Sequence, residues 1–182
     1  MTRPVIFGVA GYKNTGKTML ATRLIAAFSL KGYKVGAIKH DSHGFFAHPK
    51  GTDSAKLSMA GAVSTIVADD KGHVAIDLLE DEPSQLQRLL SYMTDVDIVI
   101  VEGYKTAPIF KWVLVEREKR DDETGVYQIP DFSAAAEFHD FVMGWVVPEA
   151  PVCVVGDTRP VYHRDDIQGM VKVMERYTRG GQ

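Results

Sequence analysis

An eight-residue stretch, GYKNTGKT at 11–18, constrains the possible folds of this chain more than any other feature. It fits the pattern G-x-x-x-x-G-K-[ST], in which a glycine-rich loop wraps around phosphate groups. The apolar run at 5–10 before it is typical of a strand buried on both faces. After it, Leu20, Leu24 and Phe28 recur at helical spacing. The stretch therefore predicts a strand, a phosphate-binding loop and a helix in that order.

The residue types in the loop explain how it would hold a nucleotide. Gly11 and Gly16 permit backbone conformations and close approaches that other residues forbid. The backbone N–H groups then point at the α- and β-phosphates, Lys17 reaches the β- and γ-phosphates, and the Thr18 hydroxyl binds Mg²⁺. The predicted nucleotide-binding residues of the loop are Gly11, Tyr12, Lys13, Asn14, Thr15, Gly16, Lys17 and Thr18.

Strand-like and helical segments alternate along most of the chain. Strands are predicted at 5–10, 34–40, 64–69, 73–79, 97–103, 110–118 and 151–157, and helices after the loop, at 55–61, at 83–93 and from about residue 165. This alternation predicts an α/β fold with a mostly parallel sheet covered on both faces. Together with the phosphate loop it predicts a P-loop NTPase-like, three-layered α/β/α fold with a strand or hairpin extension. The length favours a single domain over 1–182, with a less regular insertion or extended ribbon near 110–150. The 110–118 strand is expected near a sheet edge, and Trp112, Trp145, Met170 and Met174 are expected in the core.

A P-loop protein also needs an acidic residue that holds Mg²⁺ or orients water. Ligands of a parallel sheet bind at the carboxyl ends of its strands. Glu102 ends the apolar run DIVIVE and is predicted to lie at the same edge as the loop, whereas Asp97 starts the run. Glu102 is therefore the predicted Mg²⁺ ligand and, with Lys17, a predicted catalytic residue, with a buried glutamate in a structural ion pair as its alternative role. Gly103 after it allows backbone to approach a ligand closely.

The same edge rule selects Lys39, His40, Asp69 and Asp157, which end other predicted strands. Asp157 could accept hydrogen bonds from a guanine base, with a solvated turn as its alternative role. A solvated turn is the more cautious interpretation of Asp69. The guanine-reading tetrapeptide N-K-x-D is absent from the sequence, so the residues alone leave the base open.

The polar segment 40–54 contains His40, His43, His48 and Asp53. Its spacing matches no strong zinc pattern, and no cysteine lies nearby. Three interpretations stay open: metal coordination, a solvated loop, or a switch-like loop that touches the γ-phosphate, Mg²⁺ or a second phosphate-bearing ligand. In the last case Asp53 or Thr52 makes the contact.

Composition narrows the classes of partner and compartment. The net charge of −3 gives no electrostatic case for nucleic acid or an anionic membrane surface. No apolar run approaches the ~18 residues of a membrane span, and the N-terminus lacks a signal-peptide pattern. The only cysteine is Cys153, which excludes an internal disulfide and favours a reducing compartment. We expect a soluble, cytoplasmic protein.

The chain resembles the molybdopterin-guanine dinucleotide biosynthesis protein B (MobB) family in four motifs that follow one another in the same order. These motifs are GYKNTGKT, IKHDSHGF, KGTDS followed by AGA, and IVEGYK. The likeness is densest over 5–68 and returns at 97–105. It implies a GTP-binding accessory protein of molybdenum cofactor biosynthesis that uses GTP and Mg²⁺. It also implies a homodimer formed through extended strands, acting beside the guanylyltransferase that adds GMP to molybdopterin, with molybdopterin as a further ligand.

The resemblance also assigns roles to residues of this chain. The loop 11–18 would bind the GTP phosphates. The family's histidine- and aspartate-bearing segment corresponds to His40, His43, Gly51, Asp53 and Ser54. Its second nucleotide-site motif corresponds to Glu102 and Gly103, and a family position at the end of a late strand corresponds to Asp157. With Asp53 included, the catalytic candidates are Lys17, Glu102 and Asp53. The candidate metal ligands are Thr18, Glu102 and Asp53.

Two other functions use the same residues. A small-molecule kinase would use the nucleotide as phosphoryl donor and the 40–54 loop for the acceptor, but the chain has no arginine-rich lid. A GTP-dependent metal chaperone would use the three histidines, but their spacing is poor and a cysteine cluster is absent. No dedicated arginine finger or water-positioning glutamine stands out, so we expect at most a slow GTPase that acts as an adaptor.

Overall fold

The computed structural model describes residues 3–40, 51–78, 82–116, 121, 123–124, 127–128, 140–149, 154–155 and 157–179. The chain divides into two compact units. The larger comprises Met1–His40 and Ser91–Gln182, and the smaller comprises Asp41–Leu90.

The strands, in chain order, are β1 (Val5–Gly11), β2 (Val35–Lys39), β3 (Ser64–Ala68), β4 (Val74–Leu78), β5 (Ile98–Glu102), β6 (Lys111–Leu114), β7 (Tyr127–Gln128), β8 (Val142–Val147), β9 (Val154–Val155) and β10 (Val161–His163). The helices are α1 (Lys17–Leu30), α2 (Asp53–Met59), α3 (Glu82–Ser91) and α4 (Ile167–Arg179). These bounds match most of the predicted elements within a few residues.

The larger unit is built on a six-stranded sheet in the order β10-β8-β6-β1-β5-β2, and every pairing in it is parallel. The α/β fold with a mostly parallel sheet is thereby confirmed. β1 lies between β5 and β6, and all five residues of β5 are buried. The register pairs Glu102 with Val9 on one side and with Lys39 on the other. The carboxyl ends of β1, β5 and β2 therefore meet directly beside the loop that follows β1.

Apolar side chains cover both faces of this sheet. On one face, α1 and α4 pack through residues such as Leu24, Phe28 and Met170 against Phe7 and Trp112. On the other, Trp145 and Tyr127 belong to a second buried cluster. The predicted core positions Trp112, Trp145, Met170 and Met174 are all fully buried, which confirms that interpretation.

The prediction that the 110–118 strand lies near a sheet edge is wrong. β6 runs between β1 and β8, and all of its residues are buried. The sequence pattern misleads here because Lys111, a charged residue, is only 1% exposed. Its ammonium donates hydrogen bonds to the carbonyl oxygens of Lys105, at 2.9 Å, and of Ala107.

The sequence patterns also missed two strands of the main sheet, β8 and β10. β8 carries Gly144 in its middle, where an added Cβ would lie 2.4 Å from the carbonyl oxygen of Pro160. The adjacent N–H of Trp145 donates to that same carbonyl at 3.0 Å, just before β10 begins. The range near 110–150, predicted to be less regular, therefore contains two strands of the main sheet, β6 and β8.

The smaller unit contains α2, the antiparallel hairpin β3–β4 and most of α3. The hairpin matches the predicted hairpin extension. Its turn is fixed by Asp69, whose carboxylate accepts hydrogen bonds from the N–H groups of Lys71 and His73 at 3.0 and 2.8 Å. Asp69 is thus a turn residue, as the cautious interpretation predicted. The edge rule does not apply to it, because β3 is not a strand of the six-stranded sheet.

Candidate nucleotide-binding site

The loop between β1 and α1 depends on backbone conformations that its sequence supplies. Gly11, Asn14 and Gly16 have φ values of 148, 65 and 94°. An added Cβ on Gly11 would lie 2.9 Å from the Thr15 hydroxyl oxygen and 3.0 Å from the carbonyl oxygen of Leu114. Side chains are strongly disfavoured at such positions, and asparagine is among the few types that tolerate a positive φ. The GYKNTGKT sequence therefore dictates the shape of this turn locally.

The N-terminus of α1 is open to an anion. Gly16 precedes the helix without a side-chain cap, and the first turn holds no acidic residue. The first N–H groups of a helix lack intrahelical partners, and the helix dipole gives them a partial positive charge. Within the described residues no side chain caps this end, which makes it suited to phosphate.

Lys17 lies at the mouth of the loop, where its ammonium donates to the carbonyl oxygen of Tyr12 at 2.5 Å. Burial is the largest influence and lowers the pKa of Lys17. The Glu102 carboxylate acts in the opposite direction, while the nearby charges of Lys39 and Lys105 lower the pKa further. A bound phosphate would supply the negative charge that this group of cations favours.

Glu102 lies against Thr18, as the edge rule predicts. The Thr18 hydroxyl donates to the Glu102 Oε1 at 2.7 Å, and the Lys39 Nζ lies 3.3 Å from the same oxygen. Glu102 is only 8% exposed. Asp97, the rejected acid, accepts a hydrogen bond from the backbone N–H of Lys34 at 2.7 Å, at the opposite end of the sheet.

The Thr18 and Glu102 oxygens fit a Mg²⁺ ion. Mg²⁺ prefers oxygen ligands and is usually held by one or two protein groups together with substrate phosphates and water. A hydroxyl and a carboxylate within hydrogen-bonding distance, beside an open helix N-terminus, provide that donor set. In the described ranges no group of three or more His, Cys, Asp or Glu side chains is arranged to hold a metal without a substrate.

Gly103 brings the chain after β5 against the end of β2. Its φ is 93°, and an added Cβ would lie 2.9 Å from the Cβ of His40 and 3.0 Å from its carbonyl oxygen. The His40 N–H donates to the Glu102 carbonyl oxygen at 2.8 Å. The ring of His40 lies 4.5 Å from that of Tyr104, measured between centroids. The close contact holds His40 and Glu102 side by side.

Sequence reasoning did not assign a role to Tyr104 or Lys105. Tyr104 is buried with a φ of 43°, which is unusual for a bulky side chain. The Lys105 Nζ lies 5.7 Å from the centroid of the Tyr12 ring, over the phosphate loop. Their position directly after the Glu102–Gly103 pair in the IVEGYK phrase is the signal that could have identified them.

The remaining predicted residues are not brought to this site by the described contacts. Asp53, the first residue of α2 in the smaller unit, is exposed and pairs with Lys56 at 2.7 Å. Asp157 follows β9, which pairs with β7 outside the six-stranded sheet, and its carboxylate accepts from the Arg159 N–H at 2.8 Å. His43, with His48, lies outside the described residues. The nucleotide contacts of these residues stay predictions.

Residues 6–136 match the family model described as molybdopterin guanine dinucleotide synthesis protein B, MobB. This chain belongs to the MobB family. It is 38% identical over 112 residues to the molybdopterin-guanine dinucleotide biosynthesis adapter protein of Escherichia coli, a match that covers 60% of this chain and 64% of the relative. A probable adapter protein of Bacillus subtilis is 32% identical over 130 residues, covering 68% of this chain and 72% of the relative. The match thus spans slightly less than two thirds of the length of the Escherichia coli relative.

Solved MobB structures share the fold. A MobB homolog from Bacillus stearothermophilus superposes with a TM-score of 0.58 at 24% identity, covering 96% of this chain and 98% of the other. MobB of Bacillus subtilis gives 0.60 at 23% identity, covering 94% and 96%. None of the helices in the described residues combines the length and apolar character that a membrane crossing requires.

Proposed function

We propose that this chain binds GTP and Mg²⁺ at the phosphate loop and acts as an accessory adapter in molybdopterin guanine dinucleotide biosynthesis. The observation that carries the proposal is the contact between Thr18 and Glu102, 2.7 Å apart and beside an uncapped helix N-terminus. A hydroxyl from the loop and a carboxylate from the neighbouring strand end form the pair that a P-loop protein uses around its metal. The adapter role is supported by membership of the MobB family.

Each group at the site has a distinct task in this proposal. The loop N–H groups and Lys17 bind the phosphates, and Thr18 and Glu102 hold Mg²⁺, which neutralises charge between the phosphates when bound. His40 and Gly103 line the adjacent strand ends. His43, Asp53 and Asp157 are proposed to reach the ligand from outside this cluster, Asp53 at the metal and Asp157 at the guanine base.

Hydrolysis is proposed to be slow. P-loop GTPases gain several orders of magnitude in rate from an arginine placed on the transferring phosphate. Among the described residues, the cations whose charges act on Lys17 at this loop are two further lysines, Lys39 and Lys105. Arg159, from the late loop, forms an ion pair with Asp157 at 3.1 Å. A protein that binds GTP without consuming it quickly is suited to present nucleotide to a partner enzyme.

The proposed partners are the molybdopterin guanylyltransferase, molybdopterin and a second copy of this chain. The dimer is supported by the smaller unit, where the β3–β4 hairpin pairs with no further strand of the described chain. Its large exposed apolar side chains are Leu57, Met59, Val63, Ile66, Val67 and Val74. Unpaired strand edges with apolar side chains favour pairing with another chain. We further propose that the chain functions as a single domain, as its length predicts, and that it is cytoplasmic, as its single cysteine predicts.

Calorimetric titration tests the proposal directly. The purified protein is titrated with GTP and with ATP, with and without Mg²⁺, alongside the Lys17→Ala variant. We expect Mg²⁺-dependent binding that favours GTP, and loss of binding in Lys17→Ala with an unchanged circular dichroism spectrum. A preference for ATP would instead favour the kinase. Equal affinity in Lys17→Ala would refute the role of the loop.

A further inference from the structure

Lys39 contacts the same two oxygens that the proposed metal needs. Its Nζ lies 3.2 Å from the Thr18 hydroxyl oxygen and 3.3 Å from the Glu102 Oε1, and those two oxygens lie 2.7 Å apart. The three atoms form a closed triangle. One ammonium group thus engages both protein oxygens of the candidate Mg²⁺ site.

An ammonium and a Mg²⁺ ion cannot share this pair of oxygens. Mg²⁺ binds oxygen at about 2.0–2.1 Å and demands near-octahedral geometry. An ammonium 3.3 Å from the same carboxylate oxygen would then lie close to the metal and repel it. The Thr18 hydroxyl must also direct a lone pair at the metal, instead of accepting from Lys39.

The surroundings allow Lys39 to leave. Its side chain is 56% exposed, whereas that of Glu102 is 10% exposed. The register of β2 with β5 fixes the Lys39 backbone beside Glu102, but its four-carbon stem is flexible. An ion pair whose ammonium is more than half exposed is also weak, because water solvates that ammonium when the pair opens.

We propose that Lys39 is a built-in counter-ion that competes with the divalent cation for Thr18 and Glu102. It compensates the buried Glu102 carboxylate, and it sets the Mg²⁺ concentration at which the metal–nucleotide complex binds. Metal entry moves the Lys39 ammonium off both oxygens. This inference rests on the proposed function for its link to nucleotide, but the competition itself concerns only the cation.

The test compares Lys39→Met with Lys34→Met. Lys34 precedes β2 at the opposite end from Lys39, and its substitution removes the same charge away from the loop. Calorimetry at a series of Mg²⁺ concentrations gives the Mg²⁺ concentration at which the affinity for GTP is half-maximal. Electron paramagnetic resonance with Mn²⁺ measures cation binding to the protein without nucleotide. We expect Lys39→Met to lower the Mg²⁺ midpoint and the Mn²⁺ dissociation constant by roughly two- to five-fold, the range for a partly exposed ion pair, with no change in Lys34→Met.

Every outcome decides the proposal. An unchanged or raised Mg²⁺ midpoint, or unchanged Mn²⁺ binding, in Lys39→Met would overturn the competition. If the wild-type protein binds no nucleotide, the proposed function fails, and the Mn²⁺ titration alone still decides the role of Lys39. Should Lys39→Met fail to fold, Lys39→Gln keeps a neutral polar side chain there and is held to the same expected shift.

Discussion

Replacing Gly103 with alanine tests the close approach of β5 and β2 at the candidate site. The φ of Gly103 is 93°, and the new Cβ would lie 2.9 Å from the Cβ of His40 and 3.0 Å from its carbonyl oxygen. Both atoms belong to a residue held by the hydrogen bond between the His40 N–H and the Glu102 carbonyl. Neither atom is the far end of a flexible side chain, so the backbone itself must move.

The expected loss of stability has two parts. Placing alanine at this φ costs ~1–2 kcal/mol, and overpacking against an ordered neighbour adds about 1–3 kcal/mol. For a chain of this size each kcal/mol lowers Tm by about 2–4 °C. Gly32→Ala is the matched control, because Gly32 has a φ of 88° and nothing within 4 Å of its added Cβ. It carries only the first part of the cost.

Urea unfolding of both variants separates the two parts. We expect Gly103→Ala to lose about 1–3 kcal/mol more than Gly32→Ala. Because the strain displaces Glu102 from Thr18, Gly103→Ala should also weaken Mg²⁺-dependent nucleotide affinity, while Gly32→Ala should not. Equal losses of stability in the two variants would refute the crowding between Gly103 and His40.

Three further predictions test other parts of the molecule. Glu102→Gln should weaken the Mg²⁺ dependence of nucleotide binding in calorimetry more than Asp97→Asn does, and the reverse ranking would contradict the strand-edge assignment. Burial lowers the pKa of Lys111 to about 8 from its ordinary 10.5, so the free energy of unfolding should rise between those pH values, by at most about 1.4 kcal/mol per pH unit. In urea titrations at several pH values, Lys111→Met should lack this rise. If the free energy of unfolding rises with pH no more steeply in the wild type than in Lys111→Met, the lowered pKa of Lys111 is refuted. In the proposed dimer, Ile66→Lys should shift sedimentation towards monomer while Asp70→Asn, an equal charge change at the hairpin turn, should not. A sedimentation coefficient of Ile66→Lys equal to that of the wild type would exclude the hairpin as the interface.

The sequence by itself determined the local part of the site. The strand, loop and helix around GYKNTGKT follow from apolar periodicity and from glycines at positive φ, and these act within a few residues. The position of Glu102, and not Asp97, beside the loop also followed, because the direction of a parallel strand relative to its loops is fixed once the alternation of strands and helices is recognised. The family followed from the same motifs.

Tertiary structure alone decided the order of the strands and the contacts across them. β6 lies in the middle of the sheet, and its Lys111 can be buried there because the ammonium donates to a carbonyl oxygen of a folded loop. The sequence of a charged segment does not reveal such a partner. The contact of Lys39 with Thr18 and Glu102 likewise depends on the pairing of β2 with β5, in which the partners lie 63 positions apart in the sequence. Pairings of this kind are stabilised by contacts between distant segments, whose free energy is not contained in any short stretch of sequence.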